Sequence, residues 1–137
     1  MAIHTYRELK PTAEAEAIYR RWLAQLNDDF TRHQSPDRRS DIVRDELVQI
    51  FLGRAHGSRV QTALTTDLAT HVLAQSFDPR NVTLEPEYYG DVDPQQYALR
   101  KPLIWFWQMF DRSPLGLNHW LGFRFRCMLG RHIFRHL

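Results

Sequence analysis

Apolar residues recur every four positions near the start of the chain, and this spacing predicts the first helix. They are Ile18, Trp22, Leu26 and Phe30, with Tyr19 and Leu23 widening the stripe. A single apolar stripe at this period is typical of an amphipathic helix, which we place at about residues 12–30. Thr12 is the expected N-cap, and Glu14 and Glu16 fall in the first turn, where the helix dipole favours negative charge.

A second apolar face follows a predicted loop. The loop is residues 32–39, a polar stretch that contains Pro36. Ser40 is the expected cap of the second helix and Gly53 its stop. The apolar face of this helix comprises Val43, Leu47, Ile50 and Phe51. Residues 59–77 also carry apolar residues at helical spacing, and we expect a helix there although their interior is rich in threonine, which has a low helix propensity.

The second half of the chain begins with a long irregular stretch. Residues 78–92 show neither helical nor strand periodicity, and we expect a loop. Asp93 followed by Pro94 predicts a helix start, because proline at the first helical position loses no N–H that the helix needs. Pro102 is expected to end or kink this helix near Arg100.

A final helix is predicted from a polar cap. After a turn at residues 111–116, Asn118 is expected to cap a helix from His119 to about Leu137. The whole pattern predicts a mainly α fold with about five helices, the long loop and no substantial sheet. A chain of 137 residues suffices for a single domain.

Composition excludes several classes of protein. The hydrophobic share of 43% and the charged share of 25% are near the globular average, so wholesale disorder is not expected. No apolar run approaches the length of a transmembrane helix, and the N-terminus does not have the pattern of a secretory signal. The single cysteine, Cys127, cannot form an internal disulfide, and we expect it to be inert among apolar neighbours. These features predict a cytoplasmic protein.

The net charge of +2 conceals an asymmetry along the chain. Residues 1–99 have a balance of −4, whereas residues 100–137 have a balance of +6 with Asp111 as their one acidic residue. Three of the four tryptophans lie in the basic part. Basic and aromatic residues together are found on nucleic-acid and membrane surfaces. This patch is short and apolar, so we expect it to pack on protein and not on nucleic acid.

No set of residues forms a convincing catalytic or metal site in the sequence. His132 and His136 are one helical turn apart, but their neighbours are arginines, which repel a metal ion. His33 and Asp37 are one residue short of the spacing in the glycerolipid acyltransferase motif, so they predict no site. His56 and Ser58 would need a third orienting group and an oxyanion site, and we interpret the pair as chance. Glu85 and Glu87, which flank Pro86 in a predicted loop, are expected to be solvated.

The last helix is the predicted interaction surface. Large apolar side chains surrounded by arginines are typical both of a helix that lies in a membrane interface and of a docking face for more protein. The expected surface residues are Trp120, Arg124, Phe125, Arg126, Met128, Arg131, Phe134 and Arg135. Because this apolar helix runs to RHIFRHL without a glycine, a proline or a polar tail, we expect further chain after it.

The second half of the chain resembles a known family. Residues 111–137, DRSPLGLNHWLGFRFRCMLGRHIFRHL, together with FDPRNVTLEPEYYGDV at 77–92 and KPLIWFWQMF at 101–110, resemble the region before the repeats in bacterial hexapeptide-repeat acyltransferases. In that family an arginine-rich helix leads into a left-handed parallel β-helix. Residues 1–76 look like a helical N-terminal extension.

The resemblance implies an incomplete enzyme. The chain contains no run with an aliphatic residue at every sixth position, so it inherits no catalytic residue and no acyl-coenzyme A contact. Acyl-coenzyme A would be a co-substrate only where a repeat domain is supplied. The implied partners are further copies of the chain or a β-helix domain of the same family. The alternative is a free-standing helical adaptor that binds an anionic membrane or an acidic partner through its last helix.

Overall fold

The computed structural model describes residues 10–53 and 68–134, and these residues are mainly α-helical. The predicted fold class is therefore confirmed: the described residues contain no strand. The α-helices are α1 (Ala13–Arg32), α2 (Pro36–Leu52), α3 (Leu68–Ser76), α4 (Pro94–Arg112) and α5 (His119–Ile133). Short 3-10 helices lie at Pro79–Asn81, Glu85–Tyr88 and Pro114–Leu117.

The first two helices confirm the predicted cap at Thr12 and the predicted stop at Gly53, and they correct the predicted loop between them. The Thr12 hydroxyl accepts a hydrogen bond from the backbone N–H of Ala15, as the capping prediction requires. The loop predicted at 32–39 is wrong, because α2 begins at Pro36. Ser35 is its N-cap and Pro36 occupies the first turn, so the proline starts the helix and does not interrupt the chain. Gly53 ends α2 in the left-handed conformation.

The stretch between α3 and α4 is more ordered than expected. Helix α3 lies within the helix predicted at 59–77, of which residues 59–67 lie outside the described part. Two of the 3-10 helices then interrupt the predicted loop. Glu87 fixes the second of them, because its carboxylate accepts hydrogen bonds from the Leu84 N–H, the Tyr97 hydroxyl and the Lys101 ammonium group.

Helix α4 begins as predicted and continues where an end was expected. The Asp93 side chain caps it by accepting from the N–H groups of Gln95 and Gln96. The helix runs through Pro102 to Arg112, so of the two expected alternatives, an end or a kink near Arg100, the end is wrong. Pro102 is buried between packed helices, and we attribute the continuity to that packing, which outweighs the cost of proline in a helix.

The core lies where α1, α2, α4 and α5 meet. Leu26, Phe30, Val43, Leu47, Phe106 and Leu129 are among its fully buried members. These residues come from the stripes that the helical periodicity identified, together with the aromatic segment of α4. Helix α5 is thus held on one side by α1 and on another by α4.

Candidate interaction surface on the last helix

Helix α5 turns most of its apolar face toward the core. The Asn118 side chain caps it, as predicted, by accepting from the Leu121 N–H. Phe125 lies fully buried in a stack of aromatic rings, 3.9 Å from the Phe110 ring centroid and 5.8 Å from that of Trp22. Phe125 is therefore part of the core of this chain, where no partner can reach it.

Trp120 is buried under two arginines. Its ring is 3% exposed and lies 6.2 Å from the ring of Tyr19. The guanidinium carbon of Arg124 lies 3.9 Å from the ring centroid, and that of Arg20 lies 5.1 Å away. Stacking of this kind fixes the plane of a guanidinium group. The indole Nε1 of Trp120 has no hydrogen-bond partner in the described structure.

Arg126 has an acidic partner from another element. Two of its nitrogens donate to Oδ1 of Asp111, in the last turn of α4, over 2.9 Å and 2.5 Å. Its guanidinium also lies 5.7 Å from the ring of Phe110. Part of the positive charge that the sequence assigned to the last helix is thus neutralised inside the chain by the acidic residue of the basic half.

A basic groove lies between α1 and α5. We call it the basic groove, and its volume is about 400 Å³. It is lined by Arg20, Leu23, Phe123, Arg124, Cys127 and Arg131. Phe123 is 61% exposed, and Arg131 is also exposed. Met128 borders the same groove but is itself buried.

A second groove at the end of α5 is lined almost wholly by apolar side chains. We call it the apolar groove; its volume is about 310 Å³, and α4 forms its other wall. It is lined by Ile104, Trp107, Gln108, Ile133 and Phe134. Phe134 is 54% exposed, which is unusual for a phenylalanine beside a core. Arg100 holds this end of the helix by donating to the Ile133 carbonyl over 2.7 Å.

The eight residues expected on one surface are therefore divided. Trp120, Phe125 and Met128 face inward, and Arg126 is paired with Asp111. Arg124 and Arg131 line the basic groove, Phe134 lines the apolar groove, and Arg135 lies outside the described residues.

Some residues of these grooves were missed, although the sequence contained a signal for two of them. Phe123 and Cys127 form an outward row with His119 and Arg131 at four-residue spacing on α5. Cys127 is exposed, so the prediction that it is buried packing is wrong. The partners from other helices, Arg20, Ile104 and Trp107, could not be paired with α5 from one sequence.

The acid–base candidates have structural roles or lie outside the description. His132 Nε2 is 2.8 Å from Asn27 Oδ1, and its ring lies against Phe30. Burial, followed by the charges of Arg39 and Arg131, lowers the pKa of His132. Glu85 accepts from the Tyr89 hydroxyl, while His56 and His136 lie outside the described residues.

No metal-binding group of three or more His, Cys, Asp or Glu side chains occurs within residues 10–53 and 68–134. Within the same residues, no helix has the length and apolarity needed to cross a membrane. Comparison with protein-family models, with curated proteins and with solved structures gives no match to this chain.

Proposed function

We propose that this chain is the helical front module of a cytoplasmic hexapeptide-repeat acyltransferase and is not catalytic alone. The observation that carries the proposal is the apolar groove at the end of α5. The resemblance places the β-helix after this helix, and the groove presents an apolar face at that end. The module would pack on the β-helix domain, which would bind acyl-coenzyme A and perform the transfer.

The lining of the apolar groove supports a protein partner. Trp107 and Phe134 offer large rings and Ile104 offers branched aliphatic surface, beside Ile133, which is itself buried. Burying a large apolar side chain contributes about 1.5–3 kcal/mol, so a partly exposed set of this kind favours contact with another apolar surface. The aliphatic rungs of a β-helix would provide such a surface.

The positions of the resembling segments support the same proposal. Residues 101–110 belong to α4, and α5 spans most of residues 111–137. These two helices pack on each other and hold the apolar groove between them. The module would therefore present its end as a preformed unit.

A binding titration tests the proposal. The purified chain is mixed with the repeat domain encoded after the Leu137 codon, or in the adjacent reading frame, expressed as a separate chain. We expect saturable binding that survives 1 M salt, because apolar contacts are not screened by ions. Phe134→Asp should weaken binding at least about tenfold, in line with the loss of one buried ring.

Ile18→Asp is the matched control, because Ile18 is 59% exposed and lies on α1, away from the residues of the apolar groove. It should bind as the unaltered chain does. If the unaltered chain does not bind, or if both variants lose binding equally, the apolar groove is not the docking face.

The basic groove favours a second candidate function, that of an adaptor for an anionic membrane or an acidic partner. Three arginines line this groove beside an exposed phenylalanine, Phe123. Binding by these charges should weaken strongly between 0.1 M and 1 M salt, since the Debye length falls from about 10 Å to about 3 Å. Salt dependence therefore separates the two candidates.

A further inference from the structure

We propose that the basic groove binds the acidic tyrosine segment, residues 85–93, of a second copy of this chain. This inference is independent of the acyltransferase proposal, because it uses a different groove and different residues. The supporting observations are the positive charge of the groove, the exposure of the acidic tyrosine segment, and the burial of the apolar face of α5, which a helix in a lipid surface would have to expose.

The acidic tyrosine segment carries carboxylates and exposed tyrosine rings, which complement the arginines of the basic groove. Its sequence is EPEYYGDVD, with four acidic residues and no basic one. Tyr88 is 76% exposed, and Tyr89, Glu85 and Asp91 are exposed beside it. Tyrosine rings stack on guanidinium groups, and carboxylates pair with them, so the segment can meet arginines in both ways.

The segment is held in place before any partner arrives. The Glu87 carboxylate binds the Leu84 N–H at 2.6 Å, the Tyr97 hydroxyl at 2.8 Å and the Lys101 ammonium at 3.0 Å. These contacts anchor the turn from inside and keep Glu87 itself in the fold. Because the turn is already ordered, binding would pay less conformational entropy than binding by a loose loop.

Two arginines of the basic groove are also held in place by contacts within their own chain. Arg124 is stacked on the buried Trp120, and Arg20 is joined to Glu16 by a 2.8 Å ion pair on α1. Glu16 reduces the charge of the groove, and Arg131 adds to it from the last turn of α5. Phe123 supplies one exposed ring, against which a tyrosine ring can pack.

A lipid surface fits this groove less well. An interfacial helix inserts a continuous apolar face into the bilayer. The apolar face of α5 is already used, because Leu121, Phe125 and Leu129 are fully buried in the core. Phe123 is the exposed aromatic side chain left in the groove lining, and one ring among arginines offers little insertion.

Charge reversal tests the inference. The groove variant is Arg20→Glu with Arg131→Glu, which leaves the Arg124–Trp120 stack in place. The segment variant is Glu85→Lys with Asp91→Lys, which leaves the Glu87 anchor and the Asp93 cap in place. Sedimentation velocity over a concentration series should show that each variant associates at least about tenfold more weakly than the unaltered chain.

The decisive sample carries both reversals in one chain. Its groove carries two glutamates, and its segment carries two lysines that bring the segment's net charge from −4 to 0, so the reversed positions are again opposite in charge and association should return to within about threefold of the unaltered chain. A mixture of the two separate variants should also associate. The control is Arg38→Glu with Arg112→Glu, which changes the net charge equally at exposed arginines outside the groove and should not weaken association.

Cross-linking provides a measurement that does not rely on charge. Cys127 is the single cysteine of the chain and lies in the basic groove. In the Tyr88→Cys variant, oxidation should join Cys127 of one copy to position 88 of another, and Gln49→Cys should give much less of the mixed disulfide. Circular dichroism verifies that every variant is folded.

Three results would overturn the inference. The first is an unaltered chain that stays monomeric throughout the concentration series. The second is a folded chain with both reversals that associates no better than the separate variants. The third is equal mixed-disulfide yield from Tyr88→Cys and Gln49→Cys. Binding of the unaltered chain to anionic vesicles, lost in the groove variant while self-association is absent, would assign the groove to lipid.

Discussion

The guanidinium group of Arg39 donates a hydrogen bond to the backbone carbonyl of Leu99 over 3.1 Å, linking helices that are 60 residues apart in the sequence. The same group donates to the carbonyls of Phe30 and His33, at the end of α1 and just after it, over 2.9 Å and 2.8 Å. Arg39 is 2% exposed. One buried arginine thus joins α1, α2 and α4, of which α1 lines the basic groove and α4 lines the apolar groove.

Replacing Arg39 should strongly destabilise the fold. Arg39→Leu places an apolar side chain in the core and removes a charged donor from three carbonyl groups, of which that of Phe30 keeps a second donor, the Gln34 side-chain amide at 3.1 Å. Hydrogen bonds to a charged group contribute about 1.5–3 kcal/mol each, and their losses overlap, so we expect about 3 kcal/mol in all. Urea unfolding measures this loss. Arg38→Leu, its exposed neighbour on α2, should change the free energy of unfolding by about 0.5 kcal/mol or less. Equal effects from the two variants would contradict the role of Arg39.

Gly116 should not tolerate a side chain. A Cβ atom at this position would lie 2.5 Å from the carbonyl oxygen of Asp111 and 2.9 Å from its carbonyl carbon. Backbone atoms cannot move aside as a flexible side chain can, so Gly116→Ala should cost about 1–3 kcal/mol. At Gly90 a Cβ would meet no atom within 4 Å, and Gly90→Ala is the matched control. Thermal unfolding of the two variants compares them directly, and similar melting temperatures would contradict the close approach at Gly116.

Glu46 should make the protein less stable as the pH rises. Burial raises the pKa of Glu46 above its ordinary value, and Asp29 and Asp45 add to the effect, although a 3.1 Å hydrogen bond from the Trp22 indole opposes it. The folded state therefore holds this proton more tightly than the unfolded state. The stability from Glu46 is present below the unfolded pKa and is lost as the pH rises through the folded pKa.

Glu46→Gln tests that dependence. Glutamine keeps an oxygen that can accept from the Trp22 indole and does not titrate. The variant should gain stability relative to the unaltered chain as the pH rises from 4 toward 7, measured by urea unfolding at each pH. Asp91→Asn, at an exposed carboxylate, serves as control. A stability difference between Glu46→Gln and the unaltered chain that is the same at every pH would contradict this prediction.

His132 should make the protein less stable as the pH falls, which is the opposite of the dependence expected for Glu46. Burial lowers its pKa, and Arg39 and Arg131 lower it further. The unfolded state therefore takes up this proton first, so the chain should lose stability as the pH falls from about 6.5 through the folded pKa. His132→Gln retains a group that can bond to Asn27 and should remove this loss. His119→Gln, at an exposed histidine of α5, should keep it, and a loss that persists in His132→Gln would contradict the assignment.

The sequence predicted the helices well where an N-cap residue preceded apolar residues at helical spacing. Thr12, Asp93 and Asn118 cap helices as expected, because each side chain accepts from the first free N–H groups. The start of α2 was missed because Pro36 was interpreted as a loop residue, although Ser35 before it is a good cap. The helix end expected at Pro102 was wrong for a related reason, since we attribute the continuation of α4 to packing that outweighs the local preference of proline.

The candidate surface was harder to predict, because the sequence of a helix does not show which of its faces packs on the other helices. The apolar and arginine residues of α5 were identified, but the sequence could not tell that Phe125 stacks on Phe110 and that Arg126 pairs with Asp111. Both contacts join residues from different helices. Which side chains remain exposed is decided by those long-range contacts, and a single sequence does not report them.

The coding sequence that follows the Leu137 codon tests the central proposal most directly. If this chain is the front module of a hexapeptide-repeat acyltransferase, that sequence encodes residues with an aliphatic side chain at every sixth position, in the same frame or in the adjacent gene. A downstream sequence without any such repeat, in frame or in the adjacent gene, would contradict the proposal.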